Sequence, residues 1–137
     1  MSLLLLAISM VAAPSEADIR KDAIDVQAKL LEIPGKPPPN DLYDYAYVMK
    51  YKVMGGELDG KEIYVAHFNP LQARKKVQED MRSWVAGKLR RFKTGDVHQM
   101  KITPHVGDIW KNAVEDHYFD TDRKSTRYWC LEVKKAD

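Results

Sequence analysis

The sequence predicts a mainly β domain in which one helix separates three strands from two, in the order β-β-β-α-β-β. Three observations lead to this prediction. Five segments alternate apolar and polar residues with the period of two that is typical of a half-buried strand. Between the third and fourth of these segments, the apolar spacing changes to that of a helix. The chain has 137 residues, of which 45% are hydrophobic and 31% charged, as expected for a single globular domain.

The first residues predict an export leader. Residues 3–13, LLLLAISMVAA, carry no charge and are too few to span a bilayer, which takes about 20 residues. Their length suits the apolar part of a secretory signal peptide. Cleavage after Ala17 would make residues 1–17 the signal peptide and residues 18–137 one domain that works in the periplasm or outside the cell. No Lys or Arg precedes the apolar run, and a buried N-terminal helix is the alternative.

The first two strands are predicted to flank a proline-rich loop. Residues 23–33 alternate with period two and form the first strand. Residues 34–40, PGKPPPN, cannot continue a sheet because proline lacks the N–H donor, so we expect an exposed loop. Residues 42–54 form the second strand, with one largely aromatic face and one more polar face. The aromatic face consists of Tyr43, Tyr45, Tyr47, Met49, Tyr51 and Val53.

Glycine-rich turns and a change of period define the remaining elements. Gly55, Gly56 and Gly60 predict a turn into a third strand over residues 61–68. Asn69 then suits a helix cap and Pro70 a first helical turn. Apolar residues follow at helical spacing, and Gly87 stands near their end. These apolar residues are Leu71, Val77, Met81, Trp84, Val85, Leu89 and Phe92.

Two further strands complete the predicted order. The fourth covers residues 97–103, and a long polar connection over residues 105–125 leads to the last strand over residues 126–134. In the last strand Tyr128, Cys130 and Glu132 are predicted on one face, opposite Trp129, Leu131 and Val133. Cys130 is the only cysteine, so an intrachain disulfide is excluded, and its apolar neighbours predict a buried side chain.

This element order resembles that of the OB-fold, a five-stranded Greek-key barrel with its helix between strands three and four. The resemblance covers residues 22–135 and rests on element order. It implies that ligands meet the face of strands two and three and the loops after strands one and four, here residues 34–42 and 104–125. Secreted OB-like modules such as the netrin-like group depend on disulfides, which this chain cannot form. A small α+β sandwich is the alternative fold.

Six residues on these surfaces are the candidate ligand-binding residues. Tyrosines of the second strand offer rings that stack on sugars or bases. The alternative interpretation is that the tyrosine row is the core-facing side of its strand, because a strand must bury one face. The two loops add one amide and two further ring side chains. The six candidates are Tyr43, Tyr45, Tyr47, Asn40, Trp110 and His117.

The sequence supports metal binding and catalysis less well than it supports ligand binding. Residues 116–122, DHYFDTD, hold several oxygen ligands. The EF-hand pattern nevertheless fails, since its sixth and twelfth positions are Thr121 and Arg127. We therefore predict a solvated acidic loop, with no bound metal and no cofactor. Three histidines also lack a standard zinc spacing: His98, His105 and His117. The sequence contains no G-x-S-x-G, Walker, G-x-G-x-x-G or C-x-x-C motif, which argues against an enzyme.

The leading hypothesis is an exported, non-catalytic binding or assembly module for a polymer, a peptide or a protein partner. The second is a single-stranded nucleic-acid binder, although a net charge of +2 predicts no strong field for nucleic acid and export would exclude it. Its phosphate contacts would be Arg74, Lys75, Lys76, Arg82, Lys88, Arg90, Arg91 and Lys93. The third is a metal-assisted hydrolase centred on His105, His117, Asp116 and Asp120.

Overall fold

The computed structural model describes residues 13–39, 42–72 and 79–137. Its strands are β1 (Ile24–Glu32), β2 (Ala46–Val53), β3 (Glu62–Phe68), β4 (Ala86–Gly87), β5 (Val97–Thr103), β6 (Val114–Glu115) and β7 (Arg127–Lys135). Its helices are α1 (Glu16–Lys21) and α2 (Val106–Ile109), and Glu79–Met81 forms a 3-10 turn. Strands dominate, so the mainly β prediction is confirmed. Within these ranges, no helix has the length and apolar character needed to cross a bilayer.

The five predicted strands correspond to the five long strands of the structure. They pair in the circuit β1-β2-β3-β7-β5-β1, in which β3 and β7 are parallel and the other pairs antiparallel. The neighbours β5-β1-β2-β3 have the 4-1-2-3 order of a Greek key. The short strand β6 pairs with the start of β2, and β4 pairs with β7 past the stretch that β3 occupies. With these two additions the mixed sheet has seven strands, and it is not a clean barrel.

The inner face of the circuit carries the larger of two buried clusters, to which all five long strands contribute. Tyr45, Tyr47 and Tyr51 are fully buried there. The core-facing interpretation of the tyrosine row is therefore confirmed for these three rings, whereas Tyr43 is 42% exposed. Cys130 is buried in the same cluster, as predicted.

A second cluster covers the outside of the sheet. Met81 and Val85 pack on it from the segment after β3, and Tyr118 and the partly buried Trp110 pack on it from the long connection. The connection predicted as a polar loop therefore folds back over the sheet. It covers outward residues of strands two and three, the face on which the OB-fold resemblance places ligands. The outward residues in this cluster are Ala46, Val48, Ala66, Phe68, Trp129 and Leu131.

The helix predicted after Asn69, with Gly87 near its end, is wrong in its described part. Residues 73–78 lie outside the described residues, and from Glu79 onward the chain forms a 3-10 turn, a further turn and β4. The apolar residues at helical spacing divide between two clusters, because Met81 and Val85 pack outside the sheet while Leu89 and Phe92 pack inside it. A helix would present all of them on one face.

The predicted alternation of the last strand fails at one point. The register between β5 and β7 shifts between Lys101 and Ile102, and Leu131 is the extra residue of a β-bulge. The bulge moves the pattern by one position. Val133 consequently packs in the inner cluster with Cys130, on the face opposite to the one that simple alternation predicts.

Helix α1 is capped and docked on the body. Ser15 Oγ accepts a hydrogen bond from the Asp18 amide, and the Asp18 carboxylate accepts one from the Ser15 amide (3.2 Å each), which is a capping box. Ile19 is buried, and its carbonyl oxygen accepts a hydrogen bond from Thr103 Oγ1 (3.1 Å). The cleavage predicted after Ala17 falls inside α1 and stays a prediction.

His105 links the residue that follows α1 to α2. Its Nε2 lies 2.6 Å from Asp22 Oδ2, and its Nδ1 lies 3.0 Å from Asp108 Oδ2. The hydrogen bonds to Asp22 and then to Asp108 raise the pKa of His105. The folded protein therefore stabilises the imidazolium form of His105 relative to the unfolded chain.

We expect His105→Gln to be less stable than the wild type by an amount that depends on pH. A raised folded pKa contributes stability that is complete below the unfolded value of 6.5 and is lost as the pH rises through the folded pKa. The difference in unfolding free energy should therefore be largest at acid pH and shrink above neutrality. Urea denaturation of both proteins across this range measures it, with His117→Gln as a control. A difference that grows with pH would contradict the ion-pair account.

Candidate functional site

Four of the predicted ligand-binding residues lie in one continuous row. The ring centroids of Tyr43 and Tyr45 are 5.5 Å apart, those of Tyr45 and Tyr47 are 6.3 Å apart, and those of Tyr47 and His117 are 5.8 Å apart. Tyr43 and His117 are exposed at the two ends, while the middle rings are buried. Tyr43 Oη donates a hydrogen bond to Glu115 of β6 (2.6 Å), and this bond raises the pKa of Tyr43.

The hydroxyls of Tyr45 and Tyr47 hold the proline loop, by which we mean the described residues 34–39. Tyr45 Oη donates to the carbonyl oxygen of Pro38, and Tyr47 Oη donates to that of Pro34. These carbonyls lie outside the strands, so the side chains supply the donors that a strand partner would otherwise supply. Burial raises the pKa of Tyr47, which keeps its hydroxyl protonated as a donor. The tyrosine row therefore fixes the position of the proline loop.

The two remaining predicted residues lie apart from this arrangement. Asn40 falls outside the described residues. Trp110 belongs to the outer cluster, where its ring meets Phe68 edge-on with a centroid distance of 5.0 Å. Its Nε1 donates to the carbonyl oxygen of Ala113 (2.8 Å). This bond ties the residue after α2 to the entry of β6.

A cleft of about 320 Å³ opens beside the proline loop, and we call it the proline cleft. Its walls come from four separate parts of the chain: the residues after β1 including the proline loop, Met49 of β2, the residues after β3, and the residues after β4. Most of its lining is apolar. The lining residues are Ile33, Pro37, Met49, Pro70, Leu71, Arg90, Arg91 and Phe92.

The wall after β3 is held by Asn69. This residue has a left-handed backbone conformation with φ of 41°, which asparagine tolerates better than most residues. Its Oδ1 accepts a hydrogen bond from the Tyr45 amide (3.0 Å), and its Nδ2 donates to Asp44 Oδ1 (2.8 Å). Pro70 and Leu71 follow directly, so this buried asparagine sets where the wall begins.

The charged residues that line the proline cleft are both cations. Arg90 and Arg91 line it and are exposed. Within the described residues, no carboxylate lies within ion-pair distance of either guanidinium. The segments 33–39 and 86–95 contain no Asp or Glu. Their basic residues are Lys36, Lys88, Arg90, Arg91 and Lys93. The cleft therefore combines apolar walls with cations that are available to a ligand.

A second cavity, of about 380 Å³, lies on the long connection and is lined by Val114, Asp116, Phe119, Arg123 and Arg127. The guanidinium of Arg127 lies 4.4 Å from the ring centre of Tyr64, and its Nε lies 2.7 Å from Asp116 Oδ2. Arg123 covers the ring of Phe119 at 4.9 Å. Both cations are thus engaged by groups of the protein itself, in contrast to those of the proline cleft.

Two carboxylates of the acidic run that suggested metal binding, those of Asp116 and Asp122, make contacts within the protein. Asp116 pairs with Arg127, and Asp122 Oδ1 accepts hydrogen bonds from the amides of Ser125 (2.9 Å) and Lys124 (3.1 Å). Hydrogen bonds from Ser125 above all lower the pKa of Asp122 to about 2. In the part of the chain that the structure describes, no three His, Cys, Asp or Glu side chains come within reach of one metal ion.

A buried polar network lies in the inner cluster. Tyr51 Oη is 2.9 Å from His67 Nε2 and 3.0 Å from His98 Nδ1, and all three side chains are buried. One hydroxyl carries one proton, so one imidazole accepts from Tyr51 and the other donates to it. His98 Nε2 is buried without a hydrogen-bond partner. The ring of Phe92 packs on both histidines, with centroid distances of 4.5 Å to His67 and 5.8 Å to His98.

Sequence reasoning missed both the proline cleft and the buried network. Its signals for the cleft were the loop over residues 34–42, on which the OB-fold resemblance places ligands, and the basic run after β4, which it assigned to phosphate contacts of a nucleic-acid binder. It placed Tyr51 on the aromatic face of the second strand and the stretch that contains His67 in the third strand. Whether Tyr51 meets His67 and His98 depends on the register between β2, β3 and β5, and the local sequence pattern does not determine that register.

No family model matches this chain, and comparisons with the curated proteins and with the solved structures found no match either.

Proposed function

We propose that this chain is a non-catalytic binding module that holds an acidic, apolar peptide segment of a partner protein in the proline cleft. One observation carries the proposal: an apolar cleft is bordered by Arg90 and Arg91, which have no carboxylate partner among the described residues. Burying a leucine-sized side chain contributes about 1.5–3 kcal/mol. A hydrogen bond to a charged group contributes a similar amount. Export of the module stays a prediction from its first residues.

Peptide binding fits the walls of the cleft better than nucleic-acid binding does. Single-stranded nucleic acids need exposed rings on which successive bases stack. Among the described residues, Phe92 is the one aromatic ring in the lining, and the other apolar lining residues are aliphatic residues, a methionine and prolines. The same cations attract phosphates, so single-stranded nucleic acid is the alternative that the experiment must distinguish.

The test is calorimetric titration with defined decapeptides that alternate leucine and glutamate. We expect binding of this peptide only, and none of matched peptides that alternate leucine with lysine or serine with glutamate. Replacing both Arg90 and Arg91 with glutamine should weaken binding by about tenfold for each arginine, since each charge-assisted contact contributes about 1.5 kcal/mol.

The matched control is the double variant Lys101→Gln and Lys134→Gln. It makes the same change of net charge on the outer face of β5 and β7, away from the cleft lining. An equal loss of affinity in this control would show a nonspecific charge effect and overturn the site. Tighter binding of an oligothymidylate, with a steep dependence on salt, would favour the nucleic-acid alternative.

A further inference from the structure

The ring of Phe92 connects the proline cleft to the buried network. It lines the cleft, and it also packs on the rings of His67 and His98. The residue lies in a segment without regular structure after β4. The position of the Phe92 ring therefore depends more on side-chain packing than on backbone pairing. Two of the side chains that pack against it are His67 and His98.

The hydrogen bonds of the network have fixed donors and acceptors, and the protonation of His98 would disrupt this arrangement. In the neutral state, Tyr51 donates to one imidazole and accepts from the other. Protonation of His98 would make its Nε2 a charged donor, and this buried atom has no acceptor. An unpaired buried charge is costly enough for the surroundings to rearrange. The Phe92 ring packs edge-on against the His98 ring, with 5.8 Å between the ring centroids, so it belongs to these surroundings.

The charged and titratable neighbours of His98 come from every side of the inner cluster. β2 contributes Tyr51 and β3 contributes His67. The residue ahead of β5, Asp96, favours the protonated form, and Lys135 of β7 opposes it. The β1 residue that faces His98 is the uncharged Ala28. Burial is the largest influence and lowers the pKa of His98, so His98 is neutral at pH 7.

We propose that the His67–Tyr51–His98 network positions the Phe92 ring in the proline cleft, and that protonation of His98 displaces the ring, so that the cleft binds its peptide at neutral pH and releases it at acid pH. His98 is thus a positioning residue that acts through Phe92. The release of peptide rests on the proposed function, whereas the movement of the ring does not.

The first measurement needs no ligand. Long-range proton–nitrogen spectra report the protonation of His98, and ring signals of labelled phenylalanine report Phe92, assigned with Phe92→Leu. We expect both to change with one midpoint below pH 6.5, the ordinary histidine value, while circular dichroism shows a folded protein. In His98→Gln the Phe92 signals should stay in their neutral-pH position. His105→Gln, which changes the histidine beside α1, should retain the wild-type transition.

A stationary Phe92 signal during the titration of His98 would overturn the proposal, as would a transition that persists in His98→Gln. If His98→Gln does not fold, the wild-type titration decides by itself. The second measurement is the affinity of the leucine–glutamate peptide from pH 7.5 to pH 5. It should fall by up to about tenfold per pH unit below the folded pKa of His98. No binding at pH 7.5 would refute the proposed function, and the phenylalanine signals would still decide the role of His98.

Discussion

Replacing Gly87 with alanine is expected to lower the free energy of unfolding by about 4 kcal/mol or more, which is exceptional for a single methyl group. The Cβ added at Gly87 would lie 1.9 Å from the carbonyl oxygen of Val133. That oxygen belongs to β7, whose backbone is held by pairing with both β4 and β5, so it cannot move aside cheaply. Gly87 also has φ of 125°, a backbone conformation that residues other than glycine rarely adopt.

The matched control for this prediction is Gly95→Ala. Gly95 has φ of 93° but no atom within 4 Å of an added Cβ, so the cost there is backbone strain alone, about 1–2 kcal/mol. Denaturant unfolding of the two variants separates steric overlap from strain. Equal losses would mean that β4 does not lie against β7 as described.

Trp129→Ala is expected to destabilise the protein by about 3–5 kcal/mol. The indole is fully buried in the outer cluster, and its Nε1 donates to the carbonyl oxygen of Trp84 (2.8 Å). Removing it leaves a cavity between the sheet and the segments that cover it, and leaves that carbonyl without its donor.

Trp129→Phe provides the graded comparison. It keeps much of the buried ring but removes the donor, so a loss of about 1–3 kcal/mol is expected from the unpaired carbonyl. Denaturant unfolding measures both variants. A loss below about 1 kcal/mol for Trp129→Ala would show that the outer cluster is a loose covering and not a second core layer.

The strands were predictable because their information is local. In β1, Val26, Ala28 and Leu30 are buried and the residues between them are exposed, which is the alternation that the sequence displays. The segment after β3 was not predictable in the same way. Apolar residues four positions apart favour a helix only when all of them pack against one surface. Met81 and Leu89 pack in different clusters, so this segment does not meet that condition.

The candidate site depends on contacts between distant parts of the chain. Ile33, Leu71 and Phe92 line one cleft, although nearly sixty positions separate Ile33 from Phe92 along the chain. No local pattern encodes that meeting. Charge was the signal that sequence reasoning did have, since the run from Lys88 to Lys93 contains four basic residues and no acid. What was missing was the apolar wall that the folded chain places beside it.

The position of β7 in the circuit has a consequence for biosynthesis. β7 comes last of the seven strands along the chain, yet it pairs with β3, β4 and β5. Until it leaves the ribosome, β3 and β5 each lack one neighbour, and the inner cluster lacks Cys130 and Val133. Unpaired edges and apolar surface of this kind favour association between incomplete chains. A nascent chain with this topology therefore completes its fold only after β7 has emerged, and until then its unpaired strand edges favour self-association.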